Sequence, residues 1–412
     1  MSFIPADHAT TIKNIGFAGT LKIIAKAGYG YRHTMAFYLR QGRFSELNNF
    51  LFTKTFVPTG EGSGEAAYYA IGPLLQKFPQ LAPYPKYIEI EITSRCNKRC
   101  IICEHTWWKE KSTDLTYEEF ENLTDQFDLK WVNLTGEGDA FLNPDYLKMI
   151  ARLKRRRTSV FLVDSFDLIN SVIANNLVSL GVDGIYISMD GATKETYESI
   201  KVGCNYDKVI SNIRNLLVAK QRLQSPIPEI CFRFIITKKN VHEMTDFMET
   251  IRKLGPKSSW GDGSKIHFAG LLDYTEVHSL YLDSIPKVSV PQGKEYLPAV
   301  FAHTEESTNP SINRCLNWME PYFALVPEHM VLPCCAVLMS NSREKLLEYS
   351  FGDYTKESMK SIWNSKYYQW FRKAVTNTQG KVPQLCQGCR AFNTTDREHR
   401  YGIDQHKRSN FE

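Results

Sequence analysis

The sequence predicts an α/β fold in which six parallel strands and intervening helices form an open or closed barrel, followed by a small, metal-ordered domain. Short β-rich runs alternate with helical segments over residues 86–284, a rhythm that favours parallel strands with right-handed crossovers. The rhythm stops in a stretch with scattered Pro, Ser and Thr, so residues 285–310 are predicted to be a linker. Residues 311–412 carry clustered cysteines but no long apolar period, a composition in which bound metal supplies order that a small core cannot.

Each strand of the predicted barrel is a short run rich in β-branched or aromatic residues. Parallel strands place active sites at their carboxyl ends, so we expect the site there. The predicted strands are Tyr87–Thr93, Trp131–Leu134, Val160–Val163, Gly184–Met189, Glu229–Thr237 and Lys265–Leu271, and the predicted helices are Thr116–Phe127, Pro144–Arg155, Leu168–Leu180, Tyr206–Gln224 and Val241–Leu254.

Residues 1–85 precede the barrel and contain no repeat or catalytic motif. Helix-like stretches at Thr20–Ala27 and His33–Leu51 end in a passage with Gly and Pro at Val57–Gly64. We therefore expect an N-terminal helical cap over residues 1–85.

Length and composition set the broad class. A chain of 412 residues is long enough for one large domain and a smaller one, because single cores rarely exceed roughly 300 residues. No apolar run reaches about 18 residues and no secretory signal opens the chain, so we expect a cytoplasmic protein without a transmembrane segment. The formal charge of +5 is mild. The basic run Lys154–Arg157 is typical of a helix end, so we expect no nucleic-acid partner.

Ten cysteines are the most informative feature of the composition. In a cytoplasmic chain, clustered cysteines indicate metal binding or catalysis rather than disulfides. Cys204 and Cys231 stand alone, and we interpret both as small buried apolar residues. The other eight form two groups: Cys96, Cys100 and Cys103 near the first predicted strand, and Cys315, Cys334, Cys335, Cys386 and Cys389 in the last quarter.

The first group places three thiols in an eight-residue loop directly after the first predicted strand, with the spacing Cys-x-x-x-Cys-x-x-Cys. Three thiolates of one loop can bind three irons of a cubane cluster, which leaves the fourth iron without a local ligand. An open iron can chelate a small molecule and pass it one electron. The alternatives are a zinc site and a structural cluster, although zinc signatures prefer paired Cys-x-x-Cys or Cys/His spacing, and structural sites are fully ligated by protein.

This spacing after a first strand resembles the signature of the radical S-adenosylmethionine (SAM) superfamily, and the resemblance extends over Tyr87–Leu272. It implies a partial (β/α)6 barrel, a 4Fe–4S cluster held by Cys96, Cys100 and Cys103, and SAM bound at the open iron. In this family SAM is cleaved reductively to methionine and a 5′-deoxyadenosyl radical, which abstracts a hydrogen atom from a substrate carbon. The implied partner is a reductant such as flavodoxin or ferredoxin, and the fold does not identify the substrate.

The segment Gly136-Glu137-Gly138-Asp139-Ala140 follows the second predicted strand. The family has a Gly-rich turn there that ends in Gly-Glu-Pro, and its backbone binds the SAM amino group. The resemblance implies that Gly136, Glu137, Gly138 and Asp139 approach this group. Asp139 takes the place of the family's glutamate, and Ala140 takes that of its proline.

A second motif, Ser188-Met189-Asp190-Gly191, ends the fourth predicted strand like the family's Ser-x-Asp-Gly. This resemblance implies that Ser188 and Asp190 approach the ribose or the methionine part of SAM. Arg233 lies on the fifth predicted strand. Its guanidinium could pair with the SAM carboxylate, because it presents a fork of N–H donors, or it could form a structural ion pair.

The second cysteine group supplies four thiols, from Cys315, Cys334, Cys386 and Cys389, which suits a fully ligated iron–sulfur cluster or a zinc. The layout resembles the SPASM extension, or its shorter form called twitch, in which Cys-x-x-Cys closes a cluster opened by a hairpin cysteine. A full SPASM domain holds two clusters with seven cysteines, and only five are present here. The resemblance therefore implies one auxiliary 4Fe–4S cluster that accepts or relays electrons. Cys335 is interpreted as a bystander, because adjacent strand residues point to opposite faces.

Glu104-His105-Thr106-Trp107-Trp108, just past the third cysteine, combines an acid, an imidazole and two indoles. One interpretation is aromatic packing over the cysteine loop. The other is that Trp107 or Trp108 shields SAM while His105 or Glu104 faces the substrate, near enough for proton transfer.

Three hypotheses for the function follow. The prediction is a radical SAM oxidoreductase or maturase that acts on a peptide, protein or sugar-like substrate. The second hypothesis is a redox-neutral radical SAM enzyme such as an epimerase, and the third is a non-enzymatic iron–sulfur or zinc-binding protein. No cobalamin-binding region is apparent, which disfavours methyl transfer to carbon.

Overall fold

The described part of the chain is built on one long parallel sheet. The structure is a computed structural model that describes residues 32–56, 74, 77–255, 265–271, 275–282, 300–303, 315, 321–326, 328–339, 341–377, 380–386 and 403–412. The strands are β1 Tyr87–Glu91, β2 Trp131–Thr135, β3 Ser159–Asp164, β4 Gly184–Ser188, β5 Glu229–Ile236, β6 Lys265–Gly270, β7 Val300–His303, β8 Tyr322–Ala324, β9 Met330–Leu332, β10 Val382–Pro383 and β11 Ile403–Asp404.

The helices between the core strands follow the predicted alternation. Among the residues that the structure describes, no helix combines the length and the apolar character needed to cross a bilayer. The helices are α1 Arg32–Arg40, α2 Phe44–Phe56, α3 Tyr117–Thr124, α4 Tyr146–Arg155, α5 Ser171–Leu180, α6 Lys194–Ile200, α7 Tyr206–Arg222, α8 Met244–Leu254, α9 Cys335–Met339, α10 Arg343–Tyr349, α11 Met359–Asn364 and α12 Lys366–Thr376. Short 3-10 turns occur at Pro79–Leu81, Glu104–Thr106, Ala140–Leu142, Val241–Glu243, Thr275–Leu280, Gln384–Cys386 and Arg408–Asn410.

The open sheet confirms the predicted fold class. Nine strands run in the order β7-β6-β5-β4-β3-β2-β1-β8-β9, and β1 to β7 are parallel to their neighbours. All six predicted core strands are present, with ends that differ by one or two residues from the predicted ones. β7 falls inside the predicted linker 285–310 and pairs with β6. The short helix α6 was not predicted, because its few apolar residues form no helical period.

The two faces of the sheet differ in chemistry because strand residues alternate between them. In β1, Ile88 and Ile90 are fully buried in the apolar core that the helices cover. Glu89 and Glu91, which are also buried, lie on the opposite face. A carboxylate on a buried face needs polar partners, so this inner face is where polar chemistry is expected.

The C-terminal region, residues 311–412, continues the sheet of the barrel. β8 pairs in parallel with β1, with Glu89 opposite Tyr322, and β9 returns antiparallel to β8. The apolar core also crosses this junction, since the rings of Phe127 and Phe323 pack edge to face at 6.0 Å. The two regions therefore share both a sheet and a core.

The described part of the predicted cap packs at the amino-terminal end of the strands, away from the expected site. The Tyr38 hydroxyl in α1 donates to Asp183, directly before β4, at 2.6 Å. The predicted helix His33–Leu51 is two helices, because the chain turns at Gly42, whose φ of 64° is in the left-handed region. The helix-like stretch Thr20–Ala27 lies outside the described residues.

Candidate functional site

The three cysteines of the first group lie on one loop between β1 and α3, at the carboxyl ends of the strands. Main-chain hydrogen bonds hold this loop against the end of α6. Arg99 donates to the Val202 carbonyl at 2.8 Å, and Ile101 donates to the Ile200 carbonyl at 3.0 Å. The shape of the loop is therefore fixed by backbone contacts that do not involve the thiols.

The loop thiols are desolvated, but two ammonium groups lie near them. Burial raises the pKa of Cys96 and of Cys100, and it raises the pKa of Cys103 well above the ordinary value. Lys98 opposes this effect at Cys96, and Lys201 opposes it at Cys100. Each of these thiols also interacts electrostatically with another of the three. Neighbouring thiols beside cations are the donor set that a thiolate-bound cluster requires.

Among the described residues, no three His, Cys, Asp or Glu side chains converge as ligands of one metal ion. In a cubane each thiolate binds a different iron, so thiols that hold a cluster are spaced more widely than ligands that share one ion.

The Gly-rich turn after β2 packs directly on the cysteine loop. A Cβ on Gly138 would lie 2.1 Å from the Thr93 carbonyl oxygen and 2.7 Å from that of Arg95. Gly136 has a φ of 139°, and a Cβ there would lie 2.7 Å from Cγ of Glu91. Only glycine allows this approach, so the turn and the loop form one surface.

Asp139 is turned into the protein at the end of this turn. Its carboxylate contacts the buried Lys98 ammonium and accepts a hydrogen bond from the Phe141 amide at 3.3 Å, while its own amide donates to the Arg95 carbonyl at 2.8 Å. Burial lowers the pKa of Lys98, but Asp139 and two nearby thiols outweigh that effect and raise the net pKa. The structure therefore places Asp139 where it holds the loop lysine.

Glu137 connects the turn to the C-terminal region. Its carboxylate accepts a hydrogen bond from Nη2 of Arg343 at 2.8 Å, with both side chains buried. Its amide donates to the Glu91 carboxylate at 3.1 Å. Burial raises the pKa of Glu137 well above the ordinary value, and Arg343 opposes this effect. Sequence reasoning missed Arg343, because nothing local marks an arginine that pairs with a residue about 200 positions earlier.

The segment after the third cysteine surrounds Arg343. The guanidinium lies 3.6 Å from the ring centroid of Trp108, and Nη2 lies 3.9 Å from the Glu104 carboxylate. Nε and Nη1 of Arg343 have no hydrogen-bond partner among the described residues. Burial raises the pKa of Glu104 to about 8. Trp108 thus packs on a cation, whereas Trp107 is 38% exposed.

His105 is held by the loop that precedes the cysteines. Its Nε2 lies 2.8 Å from the Ser94 carbonyl, so Nε2 carries the proton and donates. Burial lowers the pKa of His105, which favours the neutral ring, and Nδ1 is then an acceptor. Nδ1 has no hydrogen-bond partner among the described residues.

Ser188 and Asp190 meet at a buried lysine that sequence reasoning missed. Nζ of Lys201 donates to the Ser188 hydroxyl at 2.7 Å and lies 3.0 Å from the Asp190 carboxylate. Asp190 also accepts a hydrogen bond from the Ile235 amide at 2.7 Å. Lys201 interacts with the Cys100 thiol, so this lysine links the end of β4 to the cysteine loop. A single lysine after a short helix gives no sequence signal.

Arg233 lies on the inner face of the sheet, in register with Ser188. Its guanidinium lies 5.2 Å from the ring centroid of Tyr186, and it interacts with Glu89 and Cys335. These neighbours lie in the sheet interior, and both predicted roles of Arg233 stay predictions.

Three described cysteines of the second group, Cys315, Cys334 and Cys386, interact with residues of helix α12. The Cys315 amide donates to the Val375 carbonyl at 2.8 Å. Cys334 interacts with Tyr368, and the buried Cys386 interacts with Tyr367. Cys389 lies outside the described residues. Three segments that are distant in sequence therefore converge on one helix.

Cys334 and Cys335 point to different surroundings, but not for the predicted reason. Cys335 begins helix α9 rather than continuing a strand, so the strand-alternation argument was wrong. Its thiol forms a hydrogen bond with the Glu89 carboxyl on the inner face of the sheet, and burial raises its pKa well above the ordinary value. Both residues pack against the apolar cluster that contains Tyr322 and Leu338, but only Cys334 is found to interact with Tyr368 of α12 among the described residues.

Two family models match the chain. The radical SAM superfamily model matches residues 90–251, and a model of an iron–sulfur cluster-binding domain, SPASM, matches residues 315–390. The chain belongs to the radical SAM superfamily. It is an enzyme that uses SAM and 4Fe–4S clusters, and both cysteine groups fall within the matched residues.

Curated relatives of this radical SAM enzyme include maturation proteins. It is 24% identical over 311 residues to the tungsten-containing aldehyde ferredoxin oxidoreductase cofactor-modifying protein of Pyrococcus furiosus, a match that covers 71% of this chain and 84% of that protein. It is 22% identical over 185 residues to the mycofactocin maturase MftC of Mycobacterium tuberculosis, covering 44% of this chain and 46% of the maturase. The match with MftC thus spans less than half of either protein.

Solved structures share the fold. Streptococcus suis SuiB bound to its precursor peptide SuiA superposes with a TM-score of 0.53 at 12% identity, covering 87% of this chain and 83% of SuiB. SuiB alone gives a TM-score of 0.52. At this identity the likeness supports the architecture of a barrel with a C-terminal SPASM domain.

Proposed function

We propose that this radical SAM enzyme is an oxidoreductase of the maturase type that acts on a peptide or protein. The observation that carries the proposal is the junction of the cysteine loop, the Gly-rich turn and the C-terminal region at one end of the sheet. Cys96, Cys100 and Cys103 would hold the SAM-binding cluster. Residues beside them that would bind SAM are Gly136, Gly138, Ser188 and Lys201.

The bound cofactors supply reductive cleavage of SAM and abstraction of a hydrogen atom from a substrate carbon. The chain's own residues would orient SAM and shield it from solvent. Gly138 brings the turn into contact with the loop, so that turn carbonyls are available to the SAM amino group. Lys201 places a buried positive charge beside Cys100. Its ammonium has three N–H donors, and its contacts with Ser188 and Asp190 use two of them, so a third could serve the SAM carboxylate.

Four further residues would support this site without contacting SAM: Glu137, Asp139, Asp190 and Arg233. Glu137 pairs with Arg343, Asp139 with Lys98, and Asp190 with Lys201. Arg233 packs over Tyr186. In each case the charged group already has a protein partner, which favours a role in holding the loop, the turn or the sheet interior.

An auxiliary 4Fe–4S cluster would lie beside α12, held by Cys315, Cys334, Cys386 and Cys389. The convergence of the three described cysteines on this helix supports the assignment. With four protein ligands such a cluster would have no open iron for substrate, so its task would be to accept or relay electrons. A flavodoxin or ferredoxin would supply the reducing electron.

A peptide substrate is supported by the relatives. By name, one sequence relative is the cofactor-modifying protein of an oxidoreductase, and another is a maturase. The SuiB structure holds a precursor peptide, so the same architecture can admit one. Cytoplasmic location is a further part of the proposal, because both cluster types and their reductants are stable in a reducing compartment.

Anaerobic reconstitution followed by incubation with SAM, dithionite and candidate peptides tests the proposal. We expect 5′-deoxyadenosine from the wild type and a mass change in the true peptide substrate. The triple variant Cys96→Ala, Cys100→Ala, Cys103→Ala should release none. Cys231→Ala is the matched control, since it removes a buried thiol outside both groups. Wild-type protein that binds iron but never releases 5′-deoxyadenosine would refute the proposed function.

A further inference from the structure

A buried ion pair joins the Gly-rich turn to the C-terminal region. Nη2 of Arg343 lies 2.8 Å from the Glu137 carboxylate, and the side chains are 4% and 6% exposed, respectively. Arg343 begins helix α10, whereas Glu137 lies between the two close-packed glycines of the turn. This ion pair therefore links the barrel to the C-terminal region beside the proposed SAM site.

The turn has little freedom to adjust if this pair is lost. The Glu137 amide is bonded to Glu91, the Asp139 amide is bonded to the Arg95 carbonyl, and Gly138 is in contact with the Thr93 carbonyl. Among the described residues, the ion pair with Arg343 is the only one that Glu137 forms. Without Arg343, the Glu137 carboxylate could reach another partner only by distorting these contacts of the turn backbone.

A buried carboxylate without a cation is unfavourable, and removing one partner of such a pair costs more than the pair itself contributes. Arg343 is positioned for this task by Trp108, whose ring it overlies at 3.6 Å. Trp108 belongs to the segment that follows the cysteine loop. The guanidinium thus contacts the Gly-rich turn through Glu137 and the segment after the cysteine loop through Trp108.

We propose that Arg343 is a positioning residue for SAM. By neutralising Glu137, it makes the geometry of the Gly-rich turn depend on the docked C-terminal domain. The inference rests on the SAM site proposed above. It predicts that SAM affinity responds to a residue that lies outside the barrel.

The test measures SAM binding by the reconstituted full-length protein under anaerobic conditions. Binding is monitored by the change that SAM causes in the electron paramagnetic resonance spectrum of the reduced protein. We expect Arg343→Met to weaken SAM binding about tenfold or more, which corresponds to roughly 1.4 kcal/mol. Adding Glu137→Gly removes the stranded carboxylate, so the double variant should bind SAM more tightly than Arg343→Met alone. Arg343→Lys keeps the charge and should lie between wild type and Arg343→Met.

Arg372→Met is the matched control, because Arg372 is a buried arginine of the same domain that stacks on Trp363 at 4.4 Å. Unchanged SAM affinity in Arg343→Met would overturn the inference, and so would a double variant no better than the single one. Equal weakening by Arg372→Met would also overturn it, because the effect would then be general damage to the domain. If Arg343→Met loses iron, recovery of iron in the double variant supports the inference, and failure to recover overturns it. Wild-type protein that binds no SAM would instead refute the proposed function.

Discussion

The two cysteine groups are built in opposite ways. Cys96, Cys100 and Cys103 share one loop whose shape is set by main-chain bonds to α6. Cys315, Cys334 and Cys386 come from three segments that meet around α12. The first site is therefore specified locally, whereas the second exists only after the C-terminal region has folded. We expect loss of a ligand to affect chemistry at the first site and also folding at the second.

The largest effect is expected at the loop. Cys100→Ala should abolish release of 5′-deoxyadenosine, because a thiolate of the SAM-binding cluster is lost. The far-ultraviolet circular dichroism spectrum should stay unchanged, since main-chain bonds such as that of Ile101 hold the loop. The measurement is 5′-deoxyadenosine per iron in the purified variant. Cleavage at the wild-type rate would show that the loop is not the SAM site.

Cys386→Ala should impair the auxiliary site and leave the cysteine loop able to cleave SAM. We expect loss of about four irons and a lower melting temperature, because a domain that depends on metal for its order weakens without it. SAM cleavage with dithionite should persist while product formation stops. Iron analysis, thermal unfolding and 5′-deoxyadenosine release check this. A well-folded variant that cleaves no SAM would contradict the division of labour between the sites.

A narrower comparison uses two adjacent cysteines. Cys334→Ala should lose about four irons, whereas Cys335→Ala should keep them, because their thiols lie in different surroundings. Iron and sulfide analysis of the two purified variants is the measurement. Equal losses would show that both cysteines serve the auxiliary site, and loss in Cys335→Ala alone would reverse the assignment.

The smallest expected effect concerns a residue that serves only the loop site. Lys201→Met should weaken SAM binding about tenfold, or roughly 1.4 kcal/mol, because it removes the cation beside Ser188 and Asp190. Lys201→Arg keeps the charge and is the control. Both variants should retain all iron. A lower iron content at the auxiliary site in Lys201→Met would contradict the separation between the two sites.

Features that depend on local sequence could be predicted, whereas features that depend on distant segments could not. The six core strands and the cysteine loop were predictable, because alternation and spacing are local properties. Lys201 and Arg343 were not, because each acquires its role only when distant segments meet. The neighbours of Cys334 and Cys335 were predicted to differ, yet the local structure was a helix start rather than a strand. Short elements such as α6 carry too little periodic signal to be found.

The pairing of β8 with β1 has a consequence for how the molecule can be divided. β1 leads directly into the cysteine loop, and β8 covers its outer side, where the Glu89 amide donates to the Pro321 carbonyl at 3.1 Å. A chain shortened before residue 321 would turn β1 into an edge strand with unpaired amides and carbonyls. Such edges template self-association. The barrel alone is therefore expected to aggregate at the strand that presents its own active site.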